Sequence, residues 1–299
     1  MRILSIDSGG LRGILPLMAL KFIEEKTGRR IGDVFDFIAG TSTGGLIACG
    51  LSRPGGPMSV DDLINFYLDA GPRIFRSSRL NKIRGYFRPE FDSRKMKVLL
   101  EETFGEMMLS ECEMPVMVPA YDKKYHTTIF FKSRTALQWP RRDIRIVDML
   151  MGATAAPGWF NDYKVMWEGI PRVLIDGGVF LNSPAMSAYI EVTKHSEAYK
   201  PGPISILSLG TGTASIELSN NPGQLGLIRP ISGLMLSGQQ MAVNYQLREV
   251  LGSDFMRVNT HIPDVFRDLT DHKNLRAWMD IGEKMAQNSD ELANFIAEL

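Results

Sequence analysis

The sequence predicts an α/β fold: a mostly parallel central sheet flanked by helices in three layers. Short apolar runs at Arg2–Asp7, Phe37–Gly40, Val173–Asp176 and Ile204–Leu209 alternate with longer stretches of helical periodicity. Three loops, Ser8–Gly13, Gly40–Gly44 and Asp176–Gly178, leave such runs at their carboxyl ends, and in an open α/β sheet these ends converge on one crevice. No internal repeat or low-complexity tract divides the 299 residues. One domain over residues 1–299 is therefore expected, with a motif-bearing core at about 2–212 and a helical C-terminal part at about 213–299.

Taken in order, the first strand at Arg2–Asp7 leads into a loop, Ser8–Gly13, and a helix from Ile14 to Thr27 that Gly28 ends. A second strand is expected over Asp33–Gly40, followed by a turn and a helix to about Ser52. Helices follow at Val60–Ala70 and Ser93–Phe104. Met114–Tyr121 and Thr127–Lys132 read as an antiparallel or edge pair joined through Asp122–His126. Arg145–Ala155 reads as a helix stopped by Ala156-Pro157-Gly158, and Asn182-Ser-Pro184 caps and opens another after the Val173–Asp176 strand. A strand at Ile204–Leu209, a helix at Ile231–Leu251, a strand at Phe255–Val258 and two terminal helices complete the chain.

Composition excludes several functions. Hydrophobic residues make up 44% and charged residues 23%, enough for a sizeable core. Net charge is zero, so no global field favours nucleic acid. Cys49 and Cys112 make neither a disulfide framework nor a metal-ligand pattern, which suits a reducing compartment. His126, His195, His261 and His272 stand singly, so no metal site is expected, and no cofactor motif is complete. No run reaches the roughly 18 apolar residues of a membrane span, and no signal peptide precedes the first strand. A cytoplasmic protein is expected, with peripheral membrane contact possible through one segment. Arg73–Arg88 holds Arg73, Arg76, Arg79, Lys82, Arg84 and Arg88 without an acid, interleaved with aromatic and aliphatic residues. A solvated basic loop is the competing reading.

Chemistry centres on Gly40-Thr-Ser42-Thr-Gly44, a G-x-S-x-G pattern between a strand and a helix. Such a turn exposes the serine hydroxyl and aims helix amides at charge developing beside it. The pattern arises by chance in roughly one chain in ten, so it needs company. The Ser8–Gly13 loop supplies glycines with free amides, and Asp176-Gly-Gly178 supplies a carboxylate at a strand end. A dinucleotide turn is opposed by Ser8 in place of the first glycine of G-x-G-x-x-G. Asp176 by itself is also an ordinary turn former, and Arg12 an ordinary helix cap or acid partner.

Together, Asp7-Ser-Gly-Gly-Leu-Arg12-Gly13, Gly40-Thr-Ser42-Thr-Gly44 and Asp176-Gly-Gly178 resemble, in order, the three motifs of the patatin-like phospholipases and lipid acyl hydrolases. Ala153–Pro157 and Ser208–Gly212 resemble secondary motifs of that family. The resemblance implies a phospholipase A-type esterase acting on phospholipid or another acyl ester, without a cofactor. It implies Ser42 as nucleophile and Asp176 as base in a Ser–Asp dyad. Gly9, Gly10 and Leu11 would form the oxyanion hole. Asp7, Gly13, Gly40, Gly44, Gly177 and Gly178 would shape the loops, and Arg12 would order its loop or neutralise a headgroup phosphate. Ser8 departs from the family's usual glycine and would strain the loop if that position needed positive φ. Two alternatives stand beside this reading: an α/β-hydrolase esterase with a Ser–Asp–His triad, and a phospholipase effector regulated by a nucleotide signal or a partner.

Overall fold

The computed structural model describes residues 1–76, 89–215 and 224–299, with side chains of the long helix described from residue 233 onward. Among the described residues eight strands form one sheet: β1 (Arg2–Ile6), β2 (Phe37–Gly40), β3 (Val116–Asp122), β4 (Thr127–Lys132), β5 (Tyr163–Trp167), β6 (Ile170–Asp176), β7 (Ser205–Leu209) and β8 (Phe255–Val258). β3, β2, β1, β7 and β8 are neighbours in that order and run parallel. β4, β6 and β5 add antiparallel pairings. Eleven helices are described: α1 (Ile14–Thr27), the single turn α2 (Ile31–Val34), α3 (Thr43–Leu51), α4 (Val60–Ile74), α5 (Ser93–Phe104), α6 (Ser133–Gln138), α7 (Ile146–Ala153), α8 (Ala185–Lys194), α9 (Gln224–Leu251), α10 (Leu275–Gln287) and α11 (Asp290–Ala297).

The strands sort their side chains by alternation. In β1, Leu4 and Ile6 join the larger core under α1, α3, α4 and α7, while Ile3 joins a second core with Ala185, Ala188, Val243 and Leu247 of α8 and α9. Because both faces are covered, the central strands read as nearly continuous apolar runs. Three layers result.

One detail of the register positions the site. β4 pairs with β3 from Met117 to Asp122 and so occupies one edge of that strand. β2 pairs with Val116 and Met117, and β6 pairs with Ala120 to Asp122. Both must lie on the other edge, β2 running up to its end at Gly40 and β6 running down to its end at Asp176. The two strand ends face each other head on.

Several expectations need correction. β2 begins only at Phe37; Ile31–Val34 turns helically, and the Asp36 carboxylate accepts the Arg2 N–H at 2.8 Å instead of extending the strand. α4 runs on to Ile74 through Pro72. β5 was not expected. It pairs with β6 through a turn at Glu168–Gly169, both at positive φ, and glutamate there gives no Asn-Gly type of hairpin signal. Pro184 precedes α8 without a side-chain cap from Asn182 or Ser183. In the basic segment, Arg73 is paired with Asp69 at 2.8 Å and Glu102 at 3.1 Å, so it is not a free cation. Arg79, Lys82, Arg84 and Arg88 lie outside the described residues. No helix among the described residues is long and apolar enough to cross a membrane.

Candidate active site

Ser42 sits between β2 and α3 with φ 54° and ψ −115°, a conformation that L side chains rarely adopt. Such a residue costs on the order of 1–3 kcal/mol and persists only where its neighbours fix it. Here they do. The Thr41 N–H donates to the Ile6 carbonyl at 3.1 Å, the Gly44 N–H to Thr41 at 2.8 Å, and the Leu46 N–H to Ser42 at 3.1 Å. Glycine is required on both sides: a Cβ at Gly40 would collide with the Gly44 carbonyl, and one at Gly44 with the Ile6 carbonyl. The turn therefore presses α3 against β1 and β2 and turns the serine side chain into a cavity.

Asp176 ends β6 opposite it. The Ser42 hydroxyl donates to Asp176 Oδ2 at 2.5 Å, and the Gly178 N–H donates to Oδ1 at 2.7 Å. The Asp176 N–H donates to the Ala155 carbonyl at 3.1 Å, which gives the Ala153–Pro157 segment a structural task. Gly177 lies so close to the Pro119 carbonyl that no side chain fits. Asp176 is 4% exposed, and burial raises its carboxyl to about 6, against the opposing effect of its two hydrogen bonds. A carboxyl near 6 is ionised at neutral pH yet basic enough to take a proton. In one respect the expectation was wrong. Ser8–Gly13 and Ser42 leave parallel strands, but Asp176 arrives on an antiparallel one, from the opposite direction.

The first loop is held from below and behind. The buried Asp7 carboxylate accepts from Arg257 Nη2 at 2.5 Å and from the Gln240 side-chain amide, while Arg257 Nη1 donates to Ser208 Oγ at 2.7 Å. The Ser8 N–H donates to the Asn182 carbonyl at 3.0 Å, and Thr211 Oγ1 donates to the Ser8 carbonyl at 2.5 Å. Ser8 is not at positive φ, so serine is tolerated there without backbone strain. Gly10 does need glycine: its φ is 57°, and a Cβ would come within 2.9 Å of the Leu269 carbonyl. Among the described residues, neither the Gly9 nor the Gly10 N–H has a hydrogen-bond partner. The Leu11 N–H is different. It donates to the Leu269 carbonyl at 3.0 Å and is not available to an oxyanion.

Arg12 is 8% exposed and lines the cavity, and burial lowers its guanidinium to about 10, still cationic at neutral pH. Its Nε and Nη1 have no partner among the described residues, so it is not the acid-paired arginine that was one expectation. Gly13 packs against Thr43 and the Tyr67 hydroxyl, which itself bonds Thr43 Oγ1.

The cavity, about 1370 Å³, brings Ser42 and Asp176 together with Gly9, Gly10 and Arg12, and none of the four histidines is among its lining residues. No cluster of metal-ligating side chains occurs among the described residues. Sequence reasoning missed Gln240, Arg257 and Leu269, which support the first loop from far along the chain. Arg257 left one signal, a cation inside the otherwise apolar run Phe255–Val258.

A family model described as patatin-like phospholipase matches residues 4–189. Patatin-like protein 1 of Oryza sativa subsp. indica is 30% identical over 95% of this chain and 80% of its own length. Patatin-like protein 2 of Arabidopsis thaliana is 32% identical over 72% of this chain and 60% of its own. A Solanum tuberosum protein named probable inactive patatin-3-Kuras 1 is 28% identical over 71% of this chain and 63% of its own. With three motifs in order, the strand–turn–helix elements that carry them, and a family match across more than half its length, the chain belongs to the patatin-like phospholipase family.

Proposed function

We propose that this chain is a serine acyl hydrolase of the phospholipase A type, cleaving acyl esters through an acyl-enzyme on Ser42, with Asp176 as the base. Family membership does not carry activity by itself, since one relative is named as probably inactive. The single observation that carries the reading is the 2.5 Å hydrogen bond from Ser42 to a buried carboxylate inside the cavity, with no histidine between them.

The chemistry follows from those groups. Ser42 Oγ attacks the ester carbonyl carbon, and its proton passes to Asp176. The carbonyl oxygen becomes an alkoxide held by the Gly9 and Gly10 N–H groups, a contribution of about 3 kcal/mol per well-placed donor. Collapse expels the alcohol, which takes the proton from Asp176 and leaves Ser42 acylated. Water then attacks the acyl carbon, giving its proton to Asp176, and the fatty acid departs as Ser42 recovers its hydrogen. Arg12, buried and unpaired among the described residues, supplies positive charge beside this sequence. Residues 1–299 act as one such domain in this reading, because Gln240, Arg257 and Leu269 build the wall behind the oxyanion loop.

Ser42→Ala tests it. The variant should lose turnover of a p-nitrophenyl ester and labelling by a fluorophosphonate, with circular dichroism and Tm retained. Undiminished turnover in the folded variant would remove the serine hydrolase assignment.

A further inference from the structure

From Asp7 to Arg12 the chain is held on both sides of two free amides. The N–H groups of Asp7, Ser8, Leu11 and Arg12 donate to the carbonyls of Leu209, Asn182, Leu269 and Gly9 at 3.1, 3.0, 3.0 and 3.1 Å. Those of Gly9 and Gly10, lying between, have no partner among the described residues. Where these two amides point depends on how firmly the chain is anchored around them. Downstream the anchor is the Leu269 carbonyl. Upstream it is the side chain of Asp7, fully buried directly after β1.

Two elements grip that side chain. Arg257 of β8 and Gln240 of α9 both donate to Asp7 Oδ2, and Oδ1 has no partner among the described residues. Arg257 answers the charge, and its Nη1 is itself tied to Ser208 of β7. One donor alone leaves a carboxylate free to swing about that bond. A second donor from another element fixes the group, and with it the rotamer of the residue from which the loop departs. On α9, the inward positions Leu236, Gln240, Val243 and Leu247 recur at helical spacing. Val243 and Leu247 are sunk in the second core, while Leu236 and Gln240 line the cavity. Gln240 is the one polar member of these four and is only 7% exposed. A buried amide is costly unless it is hydrogen-bonded, and its Nε2 makes the bond to Asp7. Neither Gln240 nor Arg257 belongs to the three motif loops.

We propose that Gln240 is a positioning residue for acyl transfer: through Asp7 it holds the Gly9 and Gly10 N–H groups where the oxyanion forms, so that α9 sets the geometry of the oxyanion hole. The proposal rests on the reading of Ser42 as nucleophile. Gln240 acts through Asp7 and not on the reacting atoms. Its effect belongs to the transition state, because the alkoxide that the two amides receive exists only after Ser42 has attacked. Removing the Gln240 amide leaves Asp7 paired with Arg257, so the charge stays answered and the fold persists, while the loop loses one of its two upstream restraints.

The experiment compares the full chain with Gln240→Met and Gln240→Leu, two apolar side chains that a helix tolerates, and with Val243→Ala as a control one turn along the same buried stripe. Turnover of p-nitrophenyl butyrate is measured together with Tm and circular dichroism. Both Gln240 variants should lose kcat on the order of tenfold to a hundredfold with KM within about threefold of wild type, the pattern of an interaction made only in the transition state. A trifluoromethyl ketone gives a second readout. Ser42 Oγ adds to its carbonyl carbon, the serine proton passes to Asp176, and the carbonyl oxygen becomes an alkoxide in the same place. Its Ki should therefore rise in the Gln240 variants by the same factor as kcat/KM falls. Val243→Ala should do the opposite, lowering Tm through the cavity it leaves while kcat and Ki stay within about twofold of wild type, assayed well below its Tm. Unchanged kcat and Ki in a folded Gln240 variant would overturn the proposal. So would an equal loss of kcat in Val243→Ala, which would make the effect one of general stability. Wild type that neither turns over the ester nor takes a fluorophosphonate label at Ser42 would remove the hydrolase reading, and the role of Gln240 with it, a failure seen on wild type alone.

Discussion

Asp176→Asn should make this protein more stable at neutral pH while stopping turnover. The carboxyl rises from an ordinary value of 3.8 to about 6 in the folded chain because burial disfavours its charged form. Between those values the folded state keeps a proton that the unfolded chain has released. Stability therefore falls as pH rises from about 4 to about 6, and above 6 the full penalty remains. A difference of about two pH units corresponds to about 3 kcal/mol. Asparagine is neutral at every pH and nearly the same shape. Its oxygen can still accept from the Gly178 N–H, and its amide can donate to Ser42 Oγ, so both contacts survive in altered form. The variant should then exceed wild type by about 2–3 kcal/mol near pH 7.5, on the order of 5 °C in Tm for a chain of this size. Near pH 4 the two should coincide. The measurement is urea or thermal unfolding of both proteins across that range, paired with the pH profile of kcat/KM. For wild type, kcat/KM should fall below about pH 6 as the base is protonated. An advantage of equal size at both pH values, or a less stable variant near pH 7.5, would show that Asp176 does not carry an ionised, desolvated carboxylate.

Gly10→Ala should lower kcat by a factor equivalent to about 2–4 kcal/mol, because the added methyl meets the Leu269 carbonyl and turns the amide away; a change in Tm with kcat intact would give the loop a packing role alone. Arg257→Ala strands the buried Asp7 carboxylate beneath that loop and should cost about 3–5 kcal/mol of stability by denaturant titration. The additional substitution Asp7→Asn should recover part of that loss. His126, His195, His261 and His272 changed singly to glutamine should each keep activity within about tenfold of wild type, allowing about 1 kcal/mol for structural effects. A loss equal to that of Ser42→Ala at any one of them, without unfolding, would replace the dyad by a triad.

The sequence by itself determined the alternation of strands and helices, the three motif loops and their order. These are local properties. An apolar run of the right length, a glycine where a side chain has no room, and a serine between two such glycines are legible because their causes lie within a few residues. The Gly44 backbone leaves no room for a side chain at Gly40, and the Ile6 carbonyl leaves none at Gly44, and the motif spelled that out. Tertiary structure decided what depends on residues far apart. That Asp176 meets Ser42 follows from β2 and β6 sharing one edge of β3 and ending head on, a consequence of register that no motif encodes. That Leu11 cannot serve an oxyanion follows from the Leu269 carbonyl, more than two hundred residues away. Ser8, a departure in the sequence, is unstrained because its φ is not positive, in a loop whose backbone is bonded to the distant Asn182 and Thr211. The long-range partners Gln240 and Arg257 were not legible because a buried polar contact fixes two positions jointly, while each position alone is an ordinary residue on an ordinary helix or strand.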